Sequence, residues 1–320
     1  MKNIVVIYGG DDWDKKIPFK KNPATRAGFE DLYVRAKKYD IQYYRASIKW
    51  FDESKYVFKK VWTYDGQKWR KIQRSIKPDG IFDKVVGSRS YELFDLKMKM
   101  ARKIPTVNHP LFKAITDNKL SQYLLFSNYM PKSFLATGKN ELANSLNKIK
   151  TSKVVVKPLY GSGGKGIIID QGNRIIKRKI QYPVLIQEFI KSNRGIPGFS
   201  KNKIIADLRL KYIDHKLTFA LSRIAKKGSL FTNFHQGATA VLVPNNKIPK
   251  SAKKMAQNVI KKLSSFSGVE YSLDFIFTDS GKPVLVEMNT TPGYDLLNII
   301  GDEKLKNKNV MEIARIFHDK

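Results

Sequence analysis

Cysteine is absent from this 320-residue chain, which excludes disulfides, thiolate nucleophiles and cysteine-ligated zinc and fits a reducing compartment. Acidic residues are scarce: 28 Asp and Glu stand against 60 Lys and Arg, for a formal charge of +32. No apolar run approaches the ~20 residues that a membrane span needs. The first apolar stretch, "IVVIYGG" from Ile4 to Gly10, is too short for the core of a signal peptide, meets Asp11 and Asp12 at once and has no small-residue cleavage site. It reads as a buried strand, and the protein as cytoplasmic. Internal repeats and low-complexity tails are also missing.

What the chain does have, 42% hydrophobic and 12% aromatic residues, is enough for a folded protein of two or three compact units. The charge has two readings. Lysines spread along the whole chain, without an Arg-rich strip or a basic tail, suit a solvated basic surface; the alternative is a polyanion such as nucleic acid, or an anionic substrate.

Periodicity predicts a β-α-β start: strand "KNIVVIYGG", helix "TRAGFEDLYVRAKKYD", strand "IQYYRAS". Residues 49–73 alternate aromatics with basic residues around Asp65-Gly66, a hairpin signal. Such a strip either stacks on bases or peptide, or is half buried as in most hairpins. A strand in "IKPDGIFDKVVG" and a helix in "SRSYELFDLKMKMARKI" complete a first region that closes near residue 110. "HPLFKAITDNKLSQYLLFSNY" reads as one helix, "MPKSFLAT" as a strand and "KNELANSLNKI" as a second helix. "YPVLIQEFI" reads as a strand, followed by a loop, "KSNRGIPGFSKNK". The remainder alternates strands with a helix, "PKSAKKMAQNVIKKLSSF", so the coarse pattern is α/β followed by α+β.

Glycines concentrate in "KPLYGSGGKGIII", Lys157 to Ile169. Gly161, Gly163 and Gly166 satisfy G-x-G-x-x-G, a weak signal alone. A dinucleotide fingerprint needs a helix after the glycines, and here a β-rich stretch follows. A Walker A loop needs Lys-Ser or Lys-Thr after its last glycine, and here stands Ile167. A protein kinase needs H-R-D and D-F-G, and the chain has neither. A glycine-rich hairpin remains, either a plain turn or a cradle whose backbone N–H groups meet anionic oxygens.

Near the C-terminus, "SLDFIFTDSGKPVLVEMNTTPG" predicts a hairpin turning at Gly281, with Asp274 on one strand and Glu287 and Asn289 two apart on the next. Residues at i and i+2 share a face, and a hairpin neighbour brings Asp274 opposite them. Three oxygen donors in otherwise apolar strands suit a hard cation such as Mg²⁺ on nucleotide phosphates. A solvent face would read the same way but for the flanking "VLV" and "FIF".

Taken in order, "TDNKL" (Lys119), "VVVKPLYGSGGKGI" (Lys157, Gly161 to Gly166), "LIQEFI" (Gln187 to Ile190), "DLRL" (Asp207, Arg209), "SRIAKKGSLFTNFHQGA" (Arg223, Asn233) and "LDF…VEMNTTPG" make the chain resemble an ATP-grasp ligase over roughly residues 105 to 297. The pattern is most similar to the branch that contains ribosomal-protein glutamate ligases, bacterial glutathione synthetases and spore-coat-associated ATP-grasp proteins. The resemblance implies an N-terminal Rossmann-like pre-ATP-grasp α/β domain (1–110), a central subdomain with the glycine-rich loop (111–190) and a C-terminal subdomain with the Mg site (191–320), the last two α+β units sandwiching ATP. It implies that Lys119 and Lys157 neutralise phosphates, that Gly161, Ser162, Gly163, Gly164 and Gly166 close over them, and that Gln187, Glu188, Phe189 and Ile190 present backbone to adenine. Asp274, Glu287 and Asn289 would hold Mg²⁺, with Mn²⁺ as the alternative ion. Arg209, Arg223 and Asn233 would act on an acylphosphate formed from ATP and a carboxylate and then attacked by an amine, the substrates being small molecules, peptides or protein tails. Relatives also suggest a homo-oligomer. One departure concerns the acceptor: where the protein-glutamate ligases carry an Arg and then His-Arg-Gly-Gly, this chain has Phe231 and "HQGA" (His235 to Ala238), so two cations that would meet an acidic amine are missing. The loop 191–203 is longer than usual and suits a lid or a substrate-selecting loop.

Overall fold

The computed structural model describes residues 1–161, 163–201, 203–232 and 237–319. β1 (Lys2–Tyr8), α1 (Pro23–Ala36) and β2 (Ile41–Ser47) form the expected β-α-β start, with β1 and β2 parallel. Two antiparallel hairpins follow, β3 (Phe51–Asp52) with β4 (Val57–Phe58), and β5 (Val61–Tyr64) with β6 (Trp69–Ile72). The second turns at the predicted Asp65-Gly66, where the Asp65 carboxylate accepts hydrogen bonds from the Gln67 and Lys68 amides. β7 (Gly80–Asp83), α2 (Arg89–Glu92), α3 (Phe94–Ala101) and β8 (Thr106–Val107) complete a six-stranded sheet of order β6-β5-β2-β1-β7-β8. Ile4 to Ile7 are at most 1% exposed, as an unbroken apolar run in a parallel strand covered on both faces requires.

The stretch read as one helix from His109 to Tyr129 is two, α4 (Pro110–Thr116) and α5 (Lys119–Phe126). Asn118 adopts extended backbone, and its side chain accepts from the Ser121 amide at 2.8 Å. A helix cap can therefore end one helix and start another within two residues. The helix read in Ser88–Ile104 is likewise two, α2 and α3.

β9 (Ser133–Ala136), α6 (Lys139–Lys148), β10 (Val154–Pro158), β11 (Ile168–Asp170), α7 (Gly172–Ile175) and β12 (Val184–Glu188) build an antiparallel sheet of order β11-β10-β12-β9. β13 (Ala206–Ile213), β14 (Lys216–Ile224), β15 (Thr239–Leu242), α8 (Lys250–Leu263), β16 (Glu270–Phe277) and β17 (Pro283–Asn289) build the third sheet, of order β15-β14-β13-β16-β17. Helix α8 covers it with the stripe Ala252, Ala256, Val259 and Leu263. α9 (Asp295–Ile300) and α10 (Glu303–His318) end the chain. Together with β15 they were not read from the sequence, although Val310, Ile313, Ala314 and Phe317 follow helical spacing.

Packing joins pieces that chain order separates. Phe112 of α4 and Phe126 of α5 belong to the core of the third sheet, with Leu208, Leu273 and Phe275. Val310, Ile313 and Phe317 of α10 belong to the core of the first sheet, with Ile4 and Val6. Gly28 lets α1 approach the backbone of Tyr294 so closely that a Cβ there would lie 2.8 Å from its carbonyl carbon. Beneath this contact a buried polar cluster ties the first and third sheets together. Glu270 accepts from Lys84 at 2.5 Å, from Tyr294 at 3.0 Å and from Lys211. Among the described residues no helix is long and apolar enough to cross a membrane.

Candidate active site

β10 and β11 pair from Val154↔Asp170 to Val156↔Ile168, so the glycine cluster is the tip of a hairpin, as expected. Gly161, Gly163, Gly164 and Gly166 all have positive φ, from 69° to 106°. At Gly166 a Cβ would also come within 2.8 Å of the Pro158 ring, so only glycine fits there without strain. Ser162 lies outside the described residues, as does Asn233.

Three cations or carboxylates converge under this loop. Asn118 caps α5 and thereby sets Lys119 at its first position, where Nζ donates to the Gly161 carbonyl at 2.8 Å and lies 3.4 Å from Glu287 Oε1. Lys157, 8% exposed, donates from Nζ to Gln187 Oε1 at 2.6 Å, and Gln187 Nε2 donates on to Ser133 Oγ at 2.9 Å. Burial pushes the Lys157 ammonium down to about 8, more than the nearby Glu287 carboxylate restores, and Lys119 lowers it further. The side chain of Gln187 thus positions Lys157, a role the sequence did not suggest. The amides of Glu188 and Phe189 donate to Lys132 O and Thr151 Oγ1, leaving less of that segment's backbone to a purine than expected.

Asp274 and Glu287 face each other across β16 and β17, and Asn289 stands two residues on, opposite Ser272. A bulge makes this possible. Phe275 pairs with Leu285, so Val286 is an extra residue in β17, and without it Glu287 would share the core face of Leu285, which is fully buried. Arg209 grips Asp274 with two hydrogen bonds, Nε to Oδ1 at 2.8 Å and Nη2 to Oδ2 at 2.7 Å. Arg223 reaches Asp274 Oδ2 at 2.7 Å and holds both oxygens of Asp207 at 2.9 and 2.5 Å, and the Thr232 hydroxyl donates to Asp207 at 2.6 Å. Burial pushes the Asp274 carboxyl up, but Arg209 and Arg223 outweigh it and bring it down to about 2. Asp207, sharing Arg223 with that second carboxylate, goes up because burial prevails.

The expected metal ligands fit a hard cation. Glu287 is partly exposed to the cleft, and Asp274 Oδ1 takes one hydrogen bond, which leaves it a lone pair. Asn289 Oδ1 accepts from the Thr291 amide at 3.0 Å and keeps one too. The trio supplies two carboxylates and one carboxamide; among the described residues no group of three His, Cys, Asp or Glu is placed to hold a metal.

Three cavities meet at Glu287. The first, about 150 Å³, lies between the second and third sheets, walled by Val155, Ile167 and Ile169 on one side and Ile276, Val286 and Leu230 on the other, with Gln187 to Ile190 along its edge. Lys157, Arg223 and Asp274 also line it. The second, about 100 Å³, lies between Lys119, Gly161 and Asn289. The third, about 340 Å³, opens from Arg209, Arg223 and Asn289 toward the N-terminal sheet. Of the aromatic strip at 49–73, Trp50, Phe51, Phe58, Trp62 and Trp69 are at most 8% exposed, so these rings form core and give no stacking platform to a nucleic acid.

Two sheets closing on a cleft beneath a glycine hairpin, with a third α/β unit ahead of them, define the ATP-grasp fold. It is shared along almost the whole chain with D-alanyl-alanine synthetase A from Vibrio cholerae (TM-score 0.65, 13% identity, 99% of this chain and 98% of that one). The same holds for the VanG D-Ala:D-Ser ligase from Enterococcus faecalis (TM-score 0.64, 15% identity, 98% and 99%). A family model described as YheC/D-like ATP-grasp matches residues 103–315, and the chain belongs to that family. In sequence it is also similar to a probable alpha-L-glutamate ligase of Vibrio atlanticus (strain LGP32), 27% identical over 198 residues, 60% of this chain and 58% of that protein. A protein of the same description from Legionella pneumophila (strain Corby) is 29% identical over 188 residues, 57% and 55%. The chain thus matches little more than half the length of these relatives.

Proposed function

We propose that this protein is an ATP- and Mg²⁺-dependent carboxylate–amine ligase that releases ADP and phosphate. The observation that carries the reading is the junction at Glu287, where an apolar slot sized for a purine, a glycine hairpin tethered by Lys119 and a larger third cavity meet. Lys157 and Lys119 offset phosphate charge, and the glycine loop covers the transferred group and excludes water. Asp274, Glu287 and Asn289 hold the divalent ion, which when bound supplies Lewis-acid stabilisation of the phosphates. In the first step a substrate carboxylate oxygen bonds to the γ-phosphorus as the bond to the β-phosphate oxygen breaks and ADP departs. In the second, an amine nitrogen bonds to the acyl carbon, phosphate leaves and the nitrogen gives up a proton. Arg223, held between Asp207 and Asp274 at the junction of the first and third cavities, stabilises negative charge in both steps, with Arg209 beside it.

The test is Mg²⁺-dependent release of ADP and phosphate, with protein alone and then with pooled amino acids, peptides and cell extract, and with Mn²⁺ in place of Mg²⁺. Stimulation by one pool is expected. Glu287→Ala should lower turnover by about 10³-fold or more, the several kcal/mol that positioned metal charge contributes, with an unchanged melting temperature. Full turnover in that variant would remove Glu287 from the site.

A further inference from the structure

We propose that Gln122 is a positioning residue for the divalent ion: its carboxamide fixes the register of the strand that carries Glu287 and Asn289. The inference rests on the ligase reading above and deepens it. β17 is the last strand of the third sheet and pairs with β16 on one side only. Met288, between the two expected ligands, turns its N–H and C=O to the outer edge. There Gln122 of α5 takes the place of a neighbouring strand: its Oε1 accepts from the Met288 amide at 2.9 Å, and its Nε2 donates to the Met288 carbonyl at 2.8 Å. Nε2 also donates to the Thr116 carbonyl at 2.7 Å, and the side chain is buried. Only this orientation of the carboxamide satisfies all three backbone groups.

Register matters here because the bulge at Val286 already takes one residue of β17 out of the ladder with β16. A slip by one residue would turn Glu287 and Asn289 into the core. It would also turn Met288, 2% exposed and in one core with Leu208, Leu273 and Phe275, out into the cleft. The grip on Met288 adds two buried hydrogen bonds that only the observed register can make. Asn108 and Asp117 hold the next residue, through the Thr290 carbonyl at 2.6 Å and the Thr290 hydroxyl. Gln122 differs from them in acting between the two ligands and in sharing α5 with Lys119, one turn earlier. Lys119 in turn donates from its amide to the Leu159 carbonyl at 3.0 Å and from Nζ to the Gly161 carbonyl at 2.8 Å. One helix therefore sets the spacing from the glycine loop to the metal ligands, with Lys119 Nζ 3.4 Å from Glu287 Oε1.

Nucleotide affinity with and without the ion isolates this role. The full chain is titrated calorimetrically with a non-hydrolysable ATP analogue, once in Mg²⁺ and once in EDTA, and the ratio of the two affinities measures what the ion contributes. Gln122→Met, similar in volume and without hydrogen bonds, should lower that ratio by about tenfold or more, the effect of losing a group that orients a metal ligand. Its affinity in EDTA should stay that of the unaltered protein. Gln122→Glu should respond to pH. A neutral carboxyl can accept from the Met288 amide and donate to its carbonyl, as the glutamine does, whereas a carboxylate only accepts. Its ratio, read against the unaltered protein at each pH, should therefore recover at about pH 6 and collapse at about pH 9. This variant decides the matter if the methionine variant does not fold. An unchanged ratio in Gln122→Met, an affinity that falls equally in Mg²⁺ and EDTA, or a ratio independent of pH in Gln122→Glu would overturn the proposal and leave the nucleotide site standing. An analogue that binds the unaltered protein no tighter in Mg²⁺ than in EDTA would instead remove the metal assignment, and one that does not bind at all the ligase reading, each taking this inference with it.

Discussion

Lys157 is buried at the cleft between the second and third sheets with Gln187 as its neutral partner, and its ammonium is brought down to about 8. A phosphate meets a charged lysine only below that pH. Nucleotide affinity should therefore hold up to about pH 8 and then weaken, by up to about tenfold per pH unit while the lysine must take up a proton on binding. Titrating an ATP analogue between about pH 7 and 9.5 measures this, and Lys157→Ala should bind weakly with a flat profile. The expectation for Lys157 came from "VVVKP" before a glycine run. Gln187 was expected only to present backbone to adenine; that its side chain holds Lys157 was not legible, because only the pairing of β10 with β12 sets Gln187 beside Lys157.

At the scale of the element, the glycine hairpin depends on left-handed backbone that its sequence could only suggest. Gly166→Ala forces a Cβ into the left-handed region and toward the Pro158 ring, where 2.8 Å is available. The cost of about 1–2 kcal/mol should fall on loop closure, raising the ATP KM about tenfold with little change in kcat or melting temperature. A larger fall in kcat than rise in KM would mean that the loop acts in the chemical step. β17 shows the reverse relation between pattern and structure. "PVLVEMN" alternates well enough to announce a strand, but strict alternation from Leu285 would bury Glu287; the bulge at Val286 resolves the conflict, and bulges leave no simple mark in a sequence.

At the scale of the whole molecule, buried lysines and tyrosines set opposing limits on stability. Burial lowers Lys84 and Lys157 to about 8, and lowers Lys97 and Lys211 as well, against 10.5 in an unfolded chain. Between about pH 8 and 10.5 the unfolded state binds more protons than the folded one at these sites, so stability rises with pH there. Burial raises Tyr33, Tyr43, Tyr271 and Tyr294 above their ordinary value of 10.0. Beyond about pH 10 the unfolded state loses those protons first, and stability falls. Denaturant midpoints at about pH 7.5, 9.5 and 11 should go up and then down, and Lys84→Met should flatten the rise.

The sequence by itself determined the class of fold, the glycine hairpin and the later hairpin that sets Asp274 opposite Glu287, because glycine clusters, strand periodicity and paired acidic residues are local patterns imposed by backbone chemistry. The tertiary structure decided which pieces share a core: α4 and α5 join the third sheet, and α10 closes on the first. It also decided that Arg209 and Arg223 serve Asp274 and Asp207, that the aromatic hairpin is interior, and that Gln122 holds the outer edge of β17. Those outcomes depend on contacts between residues far apart in the chain, whose burial is favourable only once the sheets have met, and no local spacing encodes them.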